Sequence, residues 1–312
     1  MENDAERMTH LSSMLDMCAD VINGDMVFLD YPLHGNIGDL LIWKGTEVFF
    51  KRHKKRILGQ YSIHNTGTGA ERLIDKCPTI CCHGGGNLGD LWANHQKYRE
   101  DIIKRYPNKR IVILPQSVHF DSLGALSEAC TVFKGHPDLH IFLRDKKSYA
   151  ILADKSVVNL RLCPDMAHAL WGTISAQNPV ISHPLYLMRR DKEKVGYIDA
   201  ANPFDWEEIL HHPPLMRRAL RINQKLHAMD MKAGNTLPAR FAWNMAVNRM
   251  IAKAIRLFGA HQEIITDRLH AVILSALLQR KVTAYDNSYG KISSYIEAWM
   301  SNMANISFKV GI

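Results

Sequence analysis

The chain has 312 residues, 46% of them hydrophobic and 22% charged, and carries a net charge of +8. That length suits two domains of ordinary size, each able to bury its own core, and the composition is that of a soluble globular protein. No apolar run reaches the roughly 18 residues that a bilayer span needs.

The first segment, MENDAERMTHLSSMLDMCADVI, places Met8, Leu11, Leu15, Cys18 and Ile22 on one face of an amphipathic helix. It lacks the long apolar centre of a signal peptide, so the protein is expected in the cytoplasm. MVFLD (26–30) reads as a strand, followed by a helix from about Asp39 to Arg52. That helix ends in KRHKKR (51–56), which is either a solvated helix end or a contact with an anionic polymer or the inner face of a membrane. No nucleic-acid partner is expected, because no recognisable binding motif and no basic stripe interleaved with aromatics is present.

TICCH (79–83), RIVILP (110–115), HIFLR (140–144) and VVNLRL (157–162) are further strands. Helices near 94–105 and 122–134 and the segment DKKSYAILAD separate them. Continuous apolar strands spaced by helices predict a parallel sheet covered on both faces. The polar stretch WGTISAQNPVISHP (171–184) has two prolines and reads as a domain connection. Beyond it come a strand, LYLMRR (185–190), and a region rich in His, Pro and Arg without a clear strand. A long helix within 240–260 follows, then strand EIIT, helix LHAVILSALLQ, strand KVTAY and helix ISSYIEAWM. The expected fold is α/β: two Rossmann-like domains, 1–170 and 171–312, facing a cleft. The six cysteines, at 18, 77, 81, 82, 130 and 163, form no Cys-x-x-Cys pair, so buried reduced thiols are expected and zinc or thioredoxin-like chemistry is not.

One pattern occurs twice: Asn36-Ile37-Gly38-Asp39 and Asn87-Leu88-Gly89-Asp90. Each follows a hydrophobic segment, at the carboxyl end of a strand, where ligands of parallel sheets gather. Glycine there allows a tight turn or a close approach, and the helix that follows offers free N–H groups to an anion. Asp39 and Asp90 could equally do no more than cap those helices. Three successive glycines, 84–86, exceed what a turn requires, which places Gly85, Gly86 and Asn87 in the cleft. GGGNLG lacks the G-x-G-x-x-G spacing and no Walker sequence exists, which argues against nicotinamide cofactors and P-loop chemistry.

A second constellation lies in EIITDRLHAVILSALL (263–278), where Arg268 and His270 bracket the mouth of an apolar helix. An arginine fork matches the two oxygens of a carboxylate or phosphate, and a histidine can move a proton near neutral pH. The plainer alternative is a capping Asp267 with two surface cations. Arg144 ends a strand, Lys291 opens the last helix, and Gln116 and Asp165 each close a strand. Three cations and a histidine at sheet ends point to a small, highly charged anion.

Together these residues resemble the polysaccharide pyruvyl transferase family, and the bacterial exopolysaccharide enzymes within it. The matching pieces are GNIGDLLIWKG, CHGGGNLGDLW, ILPQSVHF, IFLRDKKSYAIL, LCPDMAH and ITDRLHAVILSALLQRKVTAYDNSYGK, running from about residue 30 to residue 295. The resemblance implies a GT-B-like fold. It also implies phosphoenolpyruvate as donor, a sugar, lipid-linked or polymeric, as acceptor, and a cyclic pyruvate ketal as product. Arg144, Arg268 and Lys291 would bind the donor, and His270, with Arg268 beside it, would be catalytic. Asn36, Asp39, Gly85, Gly86, Asn87, Asp90, Gln116 and Asp165 would line the cleft toward the acceptor. No cofactor or metal is expected. The rival readings are a GT-B glycosyltransferase using a nucleotide sugar and a non-catalytic polysaccharide-assembly protein.

Overall fold

The computed structural model describes residues 3–177, 179, 181–190, 204–208, 213–286 and 290–309. Its amino-terminal part runs α1 (Asp4–Met14), α2 (Asp16–Val21), β1 (Met26–Leu29), α3 (Ile37–Arg52), β2 (Ile57–Tyr61), α4 (Thr68–Asp75), β3 (Thr79–Cys82), β4 (Gly85–Gly89), α5 (Ala93–Arg105), β5 (Arg110–His119), α6 (Leu123–Lys134), β6 (Leu139–Leu143), α7 (Lys146–Ala153) and β7 (Leu160–Leu162). The strands form one parallel sheet in the order β2-β1-β3-β5-β6-β7, with β4 lying against β5. The carboxyl-terminal part runs β8 (Leu185–Leu187), α8 (Pro213–Lys232), α9 (Ala239–Ala260), β9 (Glu263–Thr266), α10 (Leu269–Leu277), β10 (Lys281–Tyr285), α11 (Lys291–Trp299) and β11 (Ile306–Lys309). Its four strands are also parallel, in the order β11-β10-β9-β8.

The apolar strands β1 and β3 are buried at every position, as a sheet covered on both faces demands. One core, with Ile74, Ile80, Ile111 and Phe133, fills one face of the first sheet. The other core is continuous between the two parts: Leu41, Trp43 and Phe49 of α3 join Met166 and Leu170, Trp243 and Phe258 of α9, and Val272 and Ile273 of α10. β1–β7 all precede residue 171 and β8–β11 all follow it, yet α1 ties the two parts together. Arg7 donates to the carbonyl of Trp299 at 2.8 Å, and Asp4 accepts from the backbone of Ala304 and Asn305.

Several elements differ from the sequence reading. The amino-terminal helix breaks at Leu15 into α1 and α2, although all five face residues are buried. GGNLG is a strand, β4, rather than a corner. It exists because β5 continues past Pro115, which has no N–H to donate, through a register irregularity. β3 pairs with the first half of β5 and β4 with the second. β2, α4, α8 and β11 were not anticipated. All six cysteines are buried and free. Among the described residues no helix is long and apolar enough to cross a membrane.

Candidate active site

Three side chains from three strand ends meet: Arg144 after β6, Asp165 after β7, and His270 in the first turn of α10 after β9. Arg144 Nη1 lies 2.7 Å from Asp165 Oδ2, and His270 Nε2 lies 3.4 Å from both. The cluster therefore joins the two sheets. Arg144 and Asp165 are buried, and the arginine is held at two further points. Its Nε donates to Ser117 Oγ at 2.8 Å, and its carbonyl accepts from Trp299 Nε1 at 2.7 Å. Burial alone would raise the Asp165 carboxyl, but the charge and hydrogen bond of His270 and the charge of Arg144 outweigh it and hold the group well below the usual carboxylate range. Behind it, Tyr295 Oη accepts from the Asp165 backbone N–H at 2.9 Å and lies 2.8 Å from His168 Nε2.

The two repeated segments serve this cluster differently. In the first, Gly38 forms a shelf for the histidine: a Cβ there would stand 2.5 Å from His270 Nδ1. Asn36, not Asp39, caps α3, accepting from Gly38 N at 3.0 Å. Asp39 instead lies 3.7 Å from His34 Nε2 and faces Gly85, whose added Cβ would be 3.6 Å from its Oδ1. In the second segment Gly89, the counterpart of Gly38, packs against the His119 backbone, and it is Gly86, just ahead of the segment, that faces the cations. A Cβ on it would stand 2.9 Å from Arg144 Nη2 and 3.9 Å from Lys291 Nζ. Arg144 Nη2 has no protein acceptor among the described residues, and Gly86 leaves the space in front of it open.

The remaining anticipated residues lie farther from this point. Asn87 Oδ1 accepts from Arg99 Nη2 at 2.7 Å and from Gln116 Nε2 at 3.1 Å. Gln116 also donates to the His83 carbonyl at 2.9 Å, so both amides brace β4 against its neighbours. Asp90 accepts from the backbone of Asp121 and Ser122 and thus caps the turn before α6, not its own helix. Arg268 and His270, adjacent on the helix mouth, part company: Arg268 Nη2 pairs with Asp205 at 2.5 Å, while His270 meets Arg144. Asp267 accepts from Arg189 N at 2.7 Å.

Sequence reasoning missed a second polar group beside Asp39. Asp30, buried and in the left-handed region at φ 66°, lies 2.5 Å from Arg99 and 2.7 Å from His95 Nδ1. Burial would raise its carboxyl, but Arg99 and His95 outweigh burial and lower it. Charged residues in the run CCHGGG…HQKYRE could have flagged Arg99 and His95 only as an unexplained pair. His83 is buried with no hydrogen-bond partner at either ring nitrogen among the described residues, and burial pushes it down to about 4 despite the nearby Asp30 and Asp39. Burial likewise takes His168 to about 4 against the pull of Asp165.

These two histidines set a pH dependence. The folded rings stay neutral down to about 4, while unfolded rings protonate near the ordinary value of about 6.5. In that window the unfolded chain binds more protons, so stability is full above it and lost as pH falls through it. Each ring contributes a slope of up to about 1.4 kcal/mol per pH unit. The melting temperature is expected to fall from pH 6.5 toward pH 4, and His83→Phe to flatten that fall. An unchanged slope in the variant would contradict the assignment.

The glycines separate in the same way. Gly85 has φ 128°, so Gly85→Ala strains the backbone and is expected to lower stability and activity together. Gly86 has no such φ, and its alanine would intrude only on Arg144 and Lys291. Gly86→Ala is expected to melt near the wild-type temperature while kcat/KM falls about tenfold or more. Melting curves and steady-state kinetics on the two variants check this; parallel losses in Gly86→Ala would remove it from the site.

Residues 36–289 match the polysaccharide pyruvyl transferase family. EpsO of Bacillus subtilis (strain 168), named as a candidate pyruvyl transferase, is 39% identical over 302 residues, covering 95% of this chain and 92% of EpsO. Pyruvyl transferase 1 of Schizosaccharomyces pombe (strain 972 / ATCC 24843) is 28% identical, covering 88% of this chain and 69% of that one. The crystal structure of KP1_0663, a functionally uncharacterized protein from Klebsiella pneumoniae subsp. pneumoniae NTUH-K2044, shares the fold at 18% identity, with a TM-score of 0.59 over 97% of this chain and 98% of that one. The match begins at the first Asn-x-Gly-Asp segment, takes in the whole Arg144–Asp165–His270 cluster and is joined by a likeness to EpsO over nearly both full lengths, so this chain belongs to the polysaccharide pyruvyl transferase family and is a transferase enzyme.

Proposed function

We propose that the enzyme transfers the three-carbon unit of phosphoenolpyruvate onto two hydroxyls of one sugar, in an exopolysaccharide or its lipid-linked precursor, giving a pyruvate ketal and phosphate. The observation that carries this reading is the meeting of a buried arginine, its carboxylate partner and a histidine from the other sheet. Phosphoenolpyruvate has a carboxylate and a phosphate on a three-carbon frame. Arg144 Nη2 and Lys291, converging on Gly86, would hold one of these anions, and Arg268 the other.

His270 then works on protons. A proton passes to the methylene carbon, leaving an oxocarbenium-like centre at C2. One sugar hydroxyl adds there and gives up its proton, the C–O bond to phosphorus breaks, and phosphate departs with the bonding pair. A second hydroxyl adds to the oxocarbenium-like C2 that phosphate leaves behind, closes the ring and gives up its proton, which leaves with the phosphate. The carbons gain no net electrons, so no redox cofactor enters the scheme. Asp165, kept ionised, holds Arg144 in place and lies within reach of the His270 ring. The cations stabilise the leaving phosphate in a site partly closed to water. Asp39 and His34 stand on the side of Gly85, where the acceptor would enter. We infer that the two parallel sheets, divided near residue 170, form a GT-B-like pair with donor and acceptor between them.

Mass spectrometry of lipid-linked sugars incubated with enzyme and phosphoenolpyruvate tests the reaction. A product heavier by pyruvic acid minus one water, released with one phosphate, is expected. Transfer of a hexose from a nucleotide sugar instead would overturn the reading.

A further inference from the structure

Residues 213–260 contain nine Lys and Arg and one carboxylate, Asp230, so this hairpin of α8 and α9 carries a net +8, the net charge of the whole chain. Asp230 is buried and turned inward, accepting from Asn65, Asn235 and the backbone of Leu237. Arg217, Arg218, Arg221, Lys225 and Lys232 lie on the exposed or half-exposed side of α8, and among the described residues none of them forms an ion pair. The inner side of the hairpin is anchored over the end of β1: Tyr31 Oη lies 2.7 Å from His227 Nε2, and Trp243 Nε1 donates to the Pro32 carbonyl at 2.8 Å.

The outer side is also apolar. Of nine exposed large hydrophobic residues among those described, five belong to this hairpin: Ile222, Met229, Leu237, Phe241 and Met245. Phe241 is 64% exposed and Met229 57%. Met229, Leu237 and Phe241 lie at the turn end of the hairpin, with the cations of α8 behind them. KRHKKR is not a comparable surface. Arg52 donates to Ser12 Oγ and the Ala169 carbonyl, Lys55 to the Ala19 and Ile22 carbonyls, and Arg56 pairs with Asp25.

We propose that the outer face of the α8–α9 hairpin docks the enzyme on an anionic lipid bilayer. Only a bilayer offers both what the cations want and what the apolar residues want: a plane of phosphates with acyl chains directly beneath. A nucleic-acid backbone would leave Phe241 and Met229 in water. A second copy of the chain would bring two strongly basic faces together. Because the hairpin is anchored beside β1, at the Asp39 side of the site, docking would present the acceptor side to the membrane; the lipid-linked sugar rests on the reaction proposed above, but the docking itself does not.

Co-sedimentation of the full chain with vesicles tests this without donor or acceptor. Vesicles containing phosphatidylglycerol are expected to bind the chain, phosphatidylcholine vesicles are not, and added salt should release it. The combined variant Arg217→Glu, Arg221→Glu, Lys225→Glu and the single variant Phe241→Ser are each expected to weaken binding roughly tenfold or more, with melting temperature and phosphoenolpyruvate affinity unchanged. Absence of binding to anionic vesicles, or equal binding by the variants, would overturn the proposal. So would tight binding of a DNA duplex without vesicle binding, or a dimer in sedimentation velocity that the triple variant dissociates. Failure here leaves donor binding as it was, so it is distinguishable from failure of the proposed reaction.

Discussion

His270→Ala is expected to abolish turnover while the chain stays folded. His270 brings an imidazole to the cluster, and losing a positioned acid–base group typically costs about 10²–10⁴ in rate. The fold should tolerate the change. Asp165 keeps Arg144 and the Ala167 backbone N–H, and the ring is partly exposed above Gly38. Single-turnover kinetics with phosphoenolpyruvate, beside a melting curve, separate the two effects. Near-normal turnover in a folded variant would remove His270 from the catalytic role. Gly38→Ala offers a second probe, because it displaces the ring without deleting it and should lower kcat more than donor affinity.

Arg144→Ala is expected to cost both binding and stability. A charged hydrogen bond to the donor is worth about 1.5–3 kcal/mol, or roughly ten- to a hundredfold in affinity. The burial adds a further effect that the sequence alone did not disclose. Removing Arg144 takes the 2.7 Å partner from the buried Asp165 and leaves it the more distant His270 and the Ala167 N–H, and breaking a buried pair from one side typically costs about 3–5 kcal/mol. Asp165→Asn in the Arg144→Ala background is expected to recover part of the stability and none of the donor affinity. Titration calorimetry and chemical denaturation of the two variants check this. Wild-type stability in Arg144→Ala would contradict the buried pair, and wild-type affinity would take Arg144 out of the donor site.

The strands that carry the site were legible because each is a continuous apolar run ending in a polar residue: HIFL before Arg144, EIIT before Arg268 and His270. β4 and β2 were not legible, since each contains glycine and is only partly buried, so neither alternation nor an apolar run marks it. α8 was hidden by its prolines, which suit a helix start but read as a loop beside so many cations. Positions at strand ends mark Arg144, Lys291, Gly86 and His270 as candidates. Pairings could not be read, because they depend on which strand ends the two sheets bring together. Asp165 and Arg144 end separate strands in the sequence yet pair in the structure, and Arg268 and His270, two residues apart, take different partners, Asp205 and Arg144. The Asn-x-Gly-Asp repeat looked like one device used twice. The structure uses its glycine once as a seat for a histidine, at Gly38, and once for close packing on the His119 backbone, at Gly89, while the open space before the two cations belongs to Gly86 ahead of the second copy.

The most direct measurement is isothermal titration of phosphoenolpyruvate, the proposed donor, into the wild-type chain and into Arg144→Ala and Gly86→Ala. Saturable binding by the wild type, lost or weakened about tenfold or more in both variants, with no competition from a nucleoside diphosphate, is the expected result. Absence of phosphoenolpyruvate binding, or saturable binding of the nucleoside diphosphate that the two substitutions abolish, would contradict it.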